Sequence, residues 1–280
     1  AVIDIDGNGL PDVLHYGSPA EITFTYPVGY ALANLMTSVK TPLGGEYEVS
    51  YAPSSMNYGD DPIVKDDEIP GIRQVVSRIT RKDGRGNVSH TDYRYEGGRY
   101  DYGNRAALGF KKVLELSYAN DNSVPIVNTT TFDVSDYAHM GLVLSETVSE
   151  GRIRYSLFSR PNDDNIYSKK TYEWEVENLS ANVEEYGDKG PFRQLRTASV
   201  DLTRHGSKLL GTRVEYGYDT YGNVTMERNF GASDGTANLA GYDDTVVSRT
   251  YTSNIGKYIV SKPRHTWVDE GLIPGANRSD

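Results

Sequence analysis

The residues best suited to chemistry stand at the start of the chain, in DIDGNGLPD. Counted from Asp4, the oxygen-bearing side chains of Asp4, Asp6, Asn8 and Asp12 fall at positions one, three, five and nine of a loop, with Gly9 at six and the Leu10 carbonyl at seven. That spacing lets one tight turn aim several hard oxygens at a Ca²⁺ ion, so Asp4, Asp6, Asn8, Leu10 and Asp12 form the candidate metal-ligand set. The twelfth position, where a bidentate Glu closes many calcium loops, holds His15. The competing reading is an Asp/Asn/Gly turn that binds nothing. A bound ion here would neutralise carboxylates and stiffen a turn. A chain that opens inside such a loop without an initiator Met is expected to be a piece of a longer one.

Other reactive groups are scattered. Asp60/Asp61 and Asp66/Asp67/Glu68 supply carboxylates, and glycoside hydrolysis needs two at a defined separation, but adjacent acids in a Pro-rich loop read as a solvated face. His15, His90, His139, His205 and His265 lack the H-x-x-x-H or H-E-x-x-H spacing of a zinc site. There is no G-x-S-x-G and no P-loop, and the absence of Cys removes disulfides, thiolate metal sites and thiol nucleophiles together. No catalytic residue and no organic cofactor is assigned, and no enzyme activity is expected. The balance of 29 Lys+Arg against 39 Asp+Glu gives a formal net charge of -10, which disfavours a nucleic-acid backbone or an anionic membrane as partner. No apolar stretch approaches the ~20 residues of a membrane-spanning helix.

The elements that must position these groups read as strands. Tyr 22 against Phe 6, with Gly 28, suits half-buried pleated surfaces where a ring packs and its hydroxyl reaches water or backbone. In KKTYEWEVEN, Tyr172, Trp174 and Val176 alternate with Thr171, Glu173, Glu175 and Glu177. Val214, Tyr216 and Tyr218 repeat the pattern, as do Ile153, Tyr155 and Leu157. Residues 35–40 and 46–51 read as hairpin arms around a turn carrying Pro42, Gly44 and Gly45. Residues 58–71, with two acidic clusters and two prolines, read as an exposed loop or flap. Short helices are expected at residues 30–36 and 179–187. The fold class is therefore all-β, stacked antiparallel hairpins forming a curved sheet with few short helices.

One turn recurs. Tyr218-Asp219-Thr220-Tyr221-Gly222-Asn223-Val224-Thr225 resembles the YD repeat of the RHS family, a strand, a tight turn and a returning strand. Gly86-Asn87-Val88-Ser89 followed by Tyr93-Arg94-Tyr95 is a degenerate echo, and SRTYTSNIGKYIVSKPRHTWV is a candidate third. NLMTSVKTPLGGEYEVSYAPSS and YRYEGGRYDYGNRAALGFKKV are similar to consecutive segments of toxin-complex B components and SpvB-related proteins, with Tyr100, Asp101, Arg105, Gly109, Phe110 and Val113 in matching places. The first acidic loop resembles that of FG-GAP propeller repeats.

The resemblance implies an organisation of residues 1–17 as the end of a propeller-type repeat, 18–210 as the B-component middle region and 211–280 as YD-repeat hairpins. It implies a secreted bacterial protein whose propeller docks on a translocation pore and whose shell encloses a cytotoxic C-terminal cargo, with the rest of the parent chain and toxin-complex A and C components as partners. Within this frame Arg105 is expected to brace backbone carbonyls or Asp101. The alternative is a cell-surface adhesion module in which Tyr-rich sheets bind carbohydrate or protein.

Overall fold

A computed structural model describes residues 2–4, 10–16, 22–25, 35–58, 61–120, 123–151, 166–179, 191–234 and 244–270. The described secondary structure is strand apart from one three-residue 3-10 turn at Ile255–Lys257. Of the two expected helices, residues 30–34 and 180–187 lie outside the described residues, and the described ends, Leu35, Met36 and Leu179, are not helical. The expected strand at residues 153–157 also lies outside them. The chain forms two compact units, residues 1–129 with 150–161, and residues 130–149 with 162–280.

In the first unit, β1 (Val2–Ile3), β2 (Asp12–Tyr16) and β3 (Ile22–Thr25) form a small antiparallel sheet in that order. β4 (Ser38–Lys40) and β5 (Glu46–Pro53) are the expected hairpin, closed by Thr41, whose backbone N–H donates to the Gly45 carbonyl at 2.8 Å. After the short pair β6 (Asn57–Tyr58) and β7 (Asp61–Pro62) comes β8 (Val64–Lys65). β9 (Gln74–Lys82), β10 (Val88–Asp101) and β11 (Ala106–Tyr118) then extend the order β4-β5-β9-β10-β11, every pairing antiparallel except that of β8 on β10. β12 (Ile126–Phe132) and β13 (Val143–Glu150) follow. In the second unit each strand pairs with its successor: β14 (Ile166–Asn178), β15 (Phe192–His205), β16 (Lys208–Tyr218), β17 (Val224–Ser233), β18 (Thr245–Asn254) and β19 (Ile259–Glu270). Next-neighbour antiparallel pairing is what the short turns of β15/β16, β16/β17 and β18/β19 dictate, since each of these hairpins closes locally.

Of the stretch expected to be an exposed flap, residues 59 and 60 lie outside the described residues, and residues 63–64 are core rather than exposed. Ile63 is fully buried, and with Val64 it joins Ala52 and Val75 in an apolar cluster packed by Met56, Tyr95 and Phe110. The reason is the Ile-Val pair set between the acidic clusters. Two adjacent apolar side chains seek cover, and Val64 pairs with Tyr95 while the Tyr95 N–H donates to the Ile63 carbonyl at 3.0 Å. The acids then point to cations at the rim: Asp67 pairs with Arg73, and Glu68 with Arg99 at 3.1 Å. The loop approaches β10 so closely that a Cβ on Gly98 would lie 2.2 Å from Asp67 Oδ1. Gly98 is therefore a packing requirement.

The tyrosines close the open ends of hairpins by one rule. In β4/β5 the last paired residues are Ser38 and Glu48, and Tyr51, three residues on, donates to the carbonyl of Met36, two residues back, at 2.9 Å. In β9/β10 the ladder ends at Arg78 and Asp92, and Tyr95 donates to the Val76 carbonyl at 2.9 Å. In β15/β16 it ends at Ala198 and Glu215, and Tyr218 donates to the Arg196 carbonyl at 2.6 Å. In β17/β18 it ends at Met226 and Ser248, and Tyr251 donates to the Val224 carbonyl at 2.8 Å. The offset is the same in all four. Where two strands splay apart, the phenol supplies the donor that the ladder no longer does, and its ring covers the gap.

Candidate cation loop and repeated turns

Of the predicted metal ligands, Asp6 and Asn8 lie outside the described residues. Asp4, Leu10 and Asp12 are described, and pairing of Ile3 with Asp12 brings Asp4 beside Asp12 at one end of the β1/β2 hairpin. Asp12 is fully buried, and Asp4 and Leu10 are half-buried. A carboxylate at such depth needs compensating donors or a cation, which the chemistry of this oxygen set fits.

The repeated turn is a side-chain clamp. Asp219 Oδ1 accepts from the backbone N–H of Tyr221 and of Asn223, each at 2.9 Å, while Asn223 Nδ2 donates to Asp219 Oδ2 at 2.8 Å. The backbone closes the same ring, Asp219 N–H to the Asn223 carbonyl at 3.0 Å. The echo in the first unit is built identically. Asp83 Oδ1 accepts from Arg85 N–H at 2.7 Å and Asn87 N–H at 3.1 Å, and Asn87 Nδ2 donates to Asp83 Oδ2 at 2.6 Å. The shared string is D-x-x-G-N, and its glycine has φ +85° at Gly222 and +102° at Gly86, a region a Cβ disfavours. The candidate third repeat is a hairpin, β18/β19, but turns through the 3-10 segment with Tyr258 at φ 57°.

The clamp sets the charge of its acid. At Asp83 the bond from Asn87, then that from Arg85 N–H, holds the carboxyl below the usual carboxylate range. At Asp219 partial burial pushes the carboxyl up, but the bonds from Asn223 and the Tyr221 N–H outweigh it and leave it low. The second clamp is also tied to its neighbours: Arg193 Nη1 donates to the Thr220 carbonyl and Asn223 Nδ2 to that of Val260, both at 2.9 Å. Arg193 in turn pairs with Glu177.

Other predicted residues fall differently. Arg105 is exposed at φ 52° in the β10/β11 turn, so its expected bracing role is corrected; the turn is organised by Asp101, which accepts from Asn104 N–H at 2.9 Å and Asn104 Nδ2 at 2.7 Å. Asp60 lies outside the described residues, and Asp66 is exposed while Asp67 and Glu68 are in ion pairs. His90 is buried and stacked on Tyr118 at 4.7 Å between centroids, His139 Nδ1 lies 2.7 Å from Asp136 Oδ1, and His265 is exposed on β19. Among the described residues no group of three or more His, Cys, Asp or Glu is placed to hold a metal ion. No helix among them is long and apolar enough to cross a membrane. Sequence reasoning missed the hydroxyl latches and the Asp–Asn pairing; the Asn four residues after each Asp was the available signal.

The described residues form an all-β series of antiparallel hairpins, two of which turn on D-x-x-G-N clamps. Residues 1–137 match the family model described as insecticide toxin TcdB middle/N-terminal region. The fold matches a chain of the Photorhabdus luminescens Tc holotoxin pore at TM-score 0.68 and 12% identity, over 96% of this chain and 16% of that one. It matches a chain of the TcdB2-TccC3-TEV crystal structure at 0.67 and 13%, over 97% and 17%, and one of TcdB2-TccC3 without its hypervariable C-terminal region at 0.66 and 13%, over 98% and 17%. The chain thus spans about one sixth of the length of the solved chains it matches. No curated protein matches the sequence. Residues 1–137 are thus similar in sequence to the toxin-complex B middle/N-terminal region, and the chain shares the fold of those solved chains along nearly its whole length.

Proposed function

We propose that this segment is a piece of wall: a stretch of hairpins in the shell of a secreted bacterial toxin-complex B-like protein, enclosing a cytotoxic C-terminal cargo and performing no catalysis itself. The observation that carries the reading is the match of 96% of the chain to a Tc holotoxin chain. The clamps and hydroxyl latches support it, because a wall without disulfides gains from hairpin ends tied by local hydrogen bonds. The rest of the parent chain and toxin-complex A and C components are the partners, with residues 1–17 closing a propeller-type repeat, 18–210 forming the middle region and 211–280 opening the repeat array. Limited proteolysis of the longer parent with its cargo tests enclosure. The cargo survives a protease concentration that destroys it when expressed alone; equal rates of digestion would refute enclosure.

The acidic loop is proposed to hold Ca²⁺ through Asp4, Asp6, Asn8, the Leu10 carbonyl and Asp12, locking the β1/β2 hairpin. Support comes from the burial of Asp12 and its pairing opposite Ile3, next to Asp4. Calorimetric titration with Ca²⁺ should give a saturable heat that Asp12→Asn and Asp4→Ala abolish. No heat from the unsubstituted loop leaves a turn without a metal.

A further inference from the structure

One groove of the first unit, about 320 Å³, opens beside the Asp83–Asn87 clamp and is unused by the proposed function. Its floor is a single cross-strand row, Tyr47 of β5 opposite Arg81 of β9, and Arg81 opposite Ser89 of β10. Residues in such a row project from one face, with side chains about 5 Å apart. Tyr47 and Arg81 are exposed and Ser89 is half-buried. Among the described residues none of these three side chains makes a hydrogen bond or ion pair. The other arginines on this unit's strands are engaged: Arg78 with Asp92, Arg94 with the Tyr93 carbonyl and Arg99 with Glu68.

The uncommitted groups are donors. Arg81 offers a guanidinium fork and no acceptor, and the hydroxyls of Tyr47 and Ser89 rotate to donate. The acid that lines the groove does not compete for the fork. The Asp83 carboxylate is filled by Arg85 N–H, Asn87 N–H and Asn87 Nδ2, and Glu46 and Glu48, which alternate to the other face, are held by Lys82. A planar fork beside a hydroxyl suits a carboxylate, which it binds through two parallel bonds. The exposed Tyr47 ring adds a flat wall against which a ring-shaped body rests.

We propose that the Tyr47–Arg81–Ser89 row is a binding site for an acidic saccharide of the uronic acid type, its carboxylate on Arg81 and Ser89 and its ring against Tyr47. The site is independent of the wall function, since it uses none of the clamp or latch bonds.

The test is an NMR titration of the ¹⁵N-labelled 280-residue chain with sodium glucuronate, methyl glucoside and acetate. Glucuronate produces saturable shifts centred on Arg81 and Ser89, acetate binds there more weakly, and methyl glucoside leaves them unmoved. Arg81→Gln, a surface change whose folding is checked by thermal melting, weakens glucuronate by about tenfold or more, as expected for loss of a charged hydrogen-bonded partner. Arg81→Lys falls between, because the charge remains and the fork is lost. Tyr47→Ala weakens glucuronate but not acetate. The proposal is overturned if glucuronate gives no saturable shift up to about 50 mM, if methyl glucoside binds as well, or if Arg81→Gln leaves the affinity intact.

Discussion

Tyr218→Phe removes one oxygen and leaves the ring in place. The lost contact is the 2.6 Å bond to the Arg196 carbonyl, two residues beyond the last pair of the β15/β16 ladder. A hydrogen bond of this kind contributes about 0.5–1.5 kcal/mol net, and a carbonyl left without its donor adds up to ~1–3 kcal/mol where water cannot replace it. Tyr218 is half-buried, so water replaces part of the loss and the expected destabilisation is about 1 kcal/mol, roughly a fivefold shift in the folded ratio. Tyr95 packs on Phe110 at 4.8 Å in the apolar cluster, so Tyr95→Phe should cost more, about 1–2 kcal/mol. Tyr51→Phe, at an exposed bond, should cost less than either. Tyr102→Phe is the control, because that residue is 74% exposed. Urea unfolding followed by circular dichroism measures all four. Tyr95→Phe and Tyr218→Phe sit in separate units, so their losses should add within about 0.5 kcal/mol. If Tyr218→Phe and Tyr95→Phe are no less stable than the Tyr102→Phe control, the latch reasoning fails.

Three further outcomes follow from the same bonds. The folded-state carboxyl of Asp219 is lower than its unfolded value, so its contribution is present above about pH 4 and is lost as pH falls through the folded value; Asp219→Asn should flatten the acid limb of stability against pH, and an unchanged limb would count against the clamp. Burial first, then the hydrogen bond to Glu146, pushes the Tyr172 phenol up to about 12, so its contribution is intact below about pH 10 and lost as pH rises through 12; absorbance titration of Tyr172→Phe should lack one late-ionising phenol, and an unchanged curve would contradict this. Ile63→Ala should cost about 2–5 kcal/mol and Gly98→Ala about 1–3 kcal/mol, because one empties the apolar cluster and the other drives a methyl into Asp67; surface-like losses below ~0.5 kcal/mol in urea unfolding would return residues 58–71 to an exposed loop.

Alternation makes most of the strands legible in the sequence. Tyr172, Trp174 and Val176 are half-buried while Glu173 and Glu175 are exposed, as a period of two requires. The hairpin at residues 38–53 and the turn at Asp219 were legible because Gly, Pro, Asp and Asn mark turns for local steric reasons. What failed to show was anything set by partners distant in sequence. Ile63 sits among acids and prolines, and only its pairing with β10 reveals it as core. The tyrosines announced strands but not latches, because which carbonyl lacks a donor depends on where each ladder ends. Arg105 matched a family motif at a position that lies exposed in the β10/β11 turn.

Electron microscopy of the longer parent chain, reconstructed far enough to trace strands, decides whether this segment is shell wall. A hollow particle is expected, in whose wall residues 38–270 run as consecutive antiparallel hairpins, with Tyr95, Tyr218 and Tyr251 spanning the splayed ends. A solid particle, or a cavity lined by other parts of the polypeptide while this segment folds away from it, would contradict it.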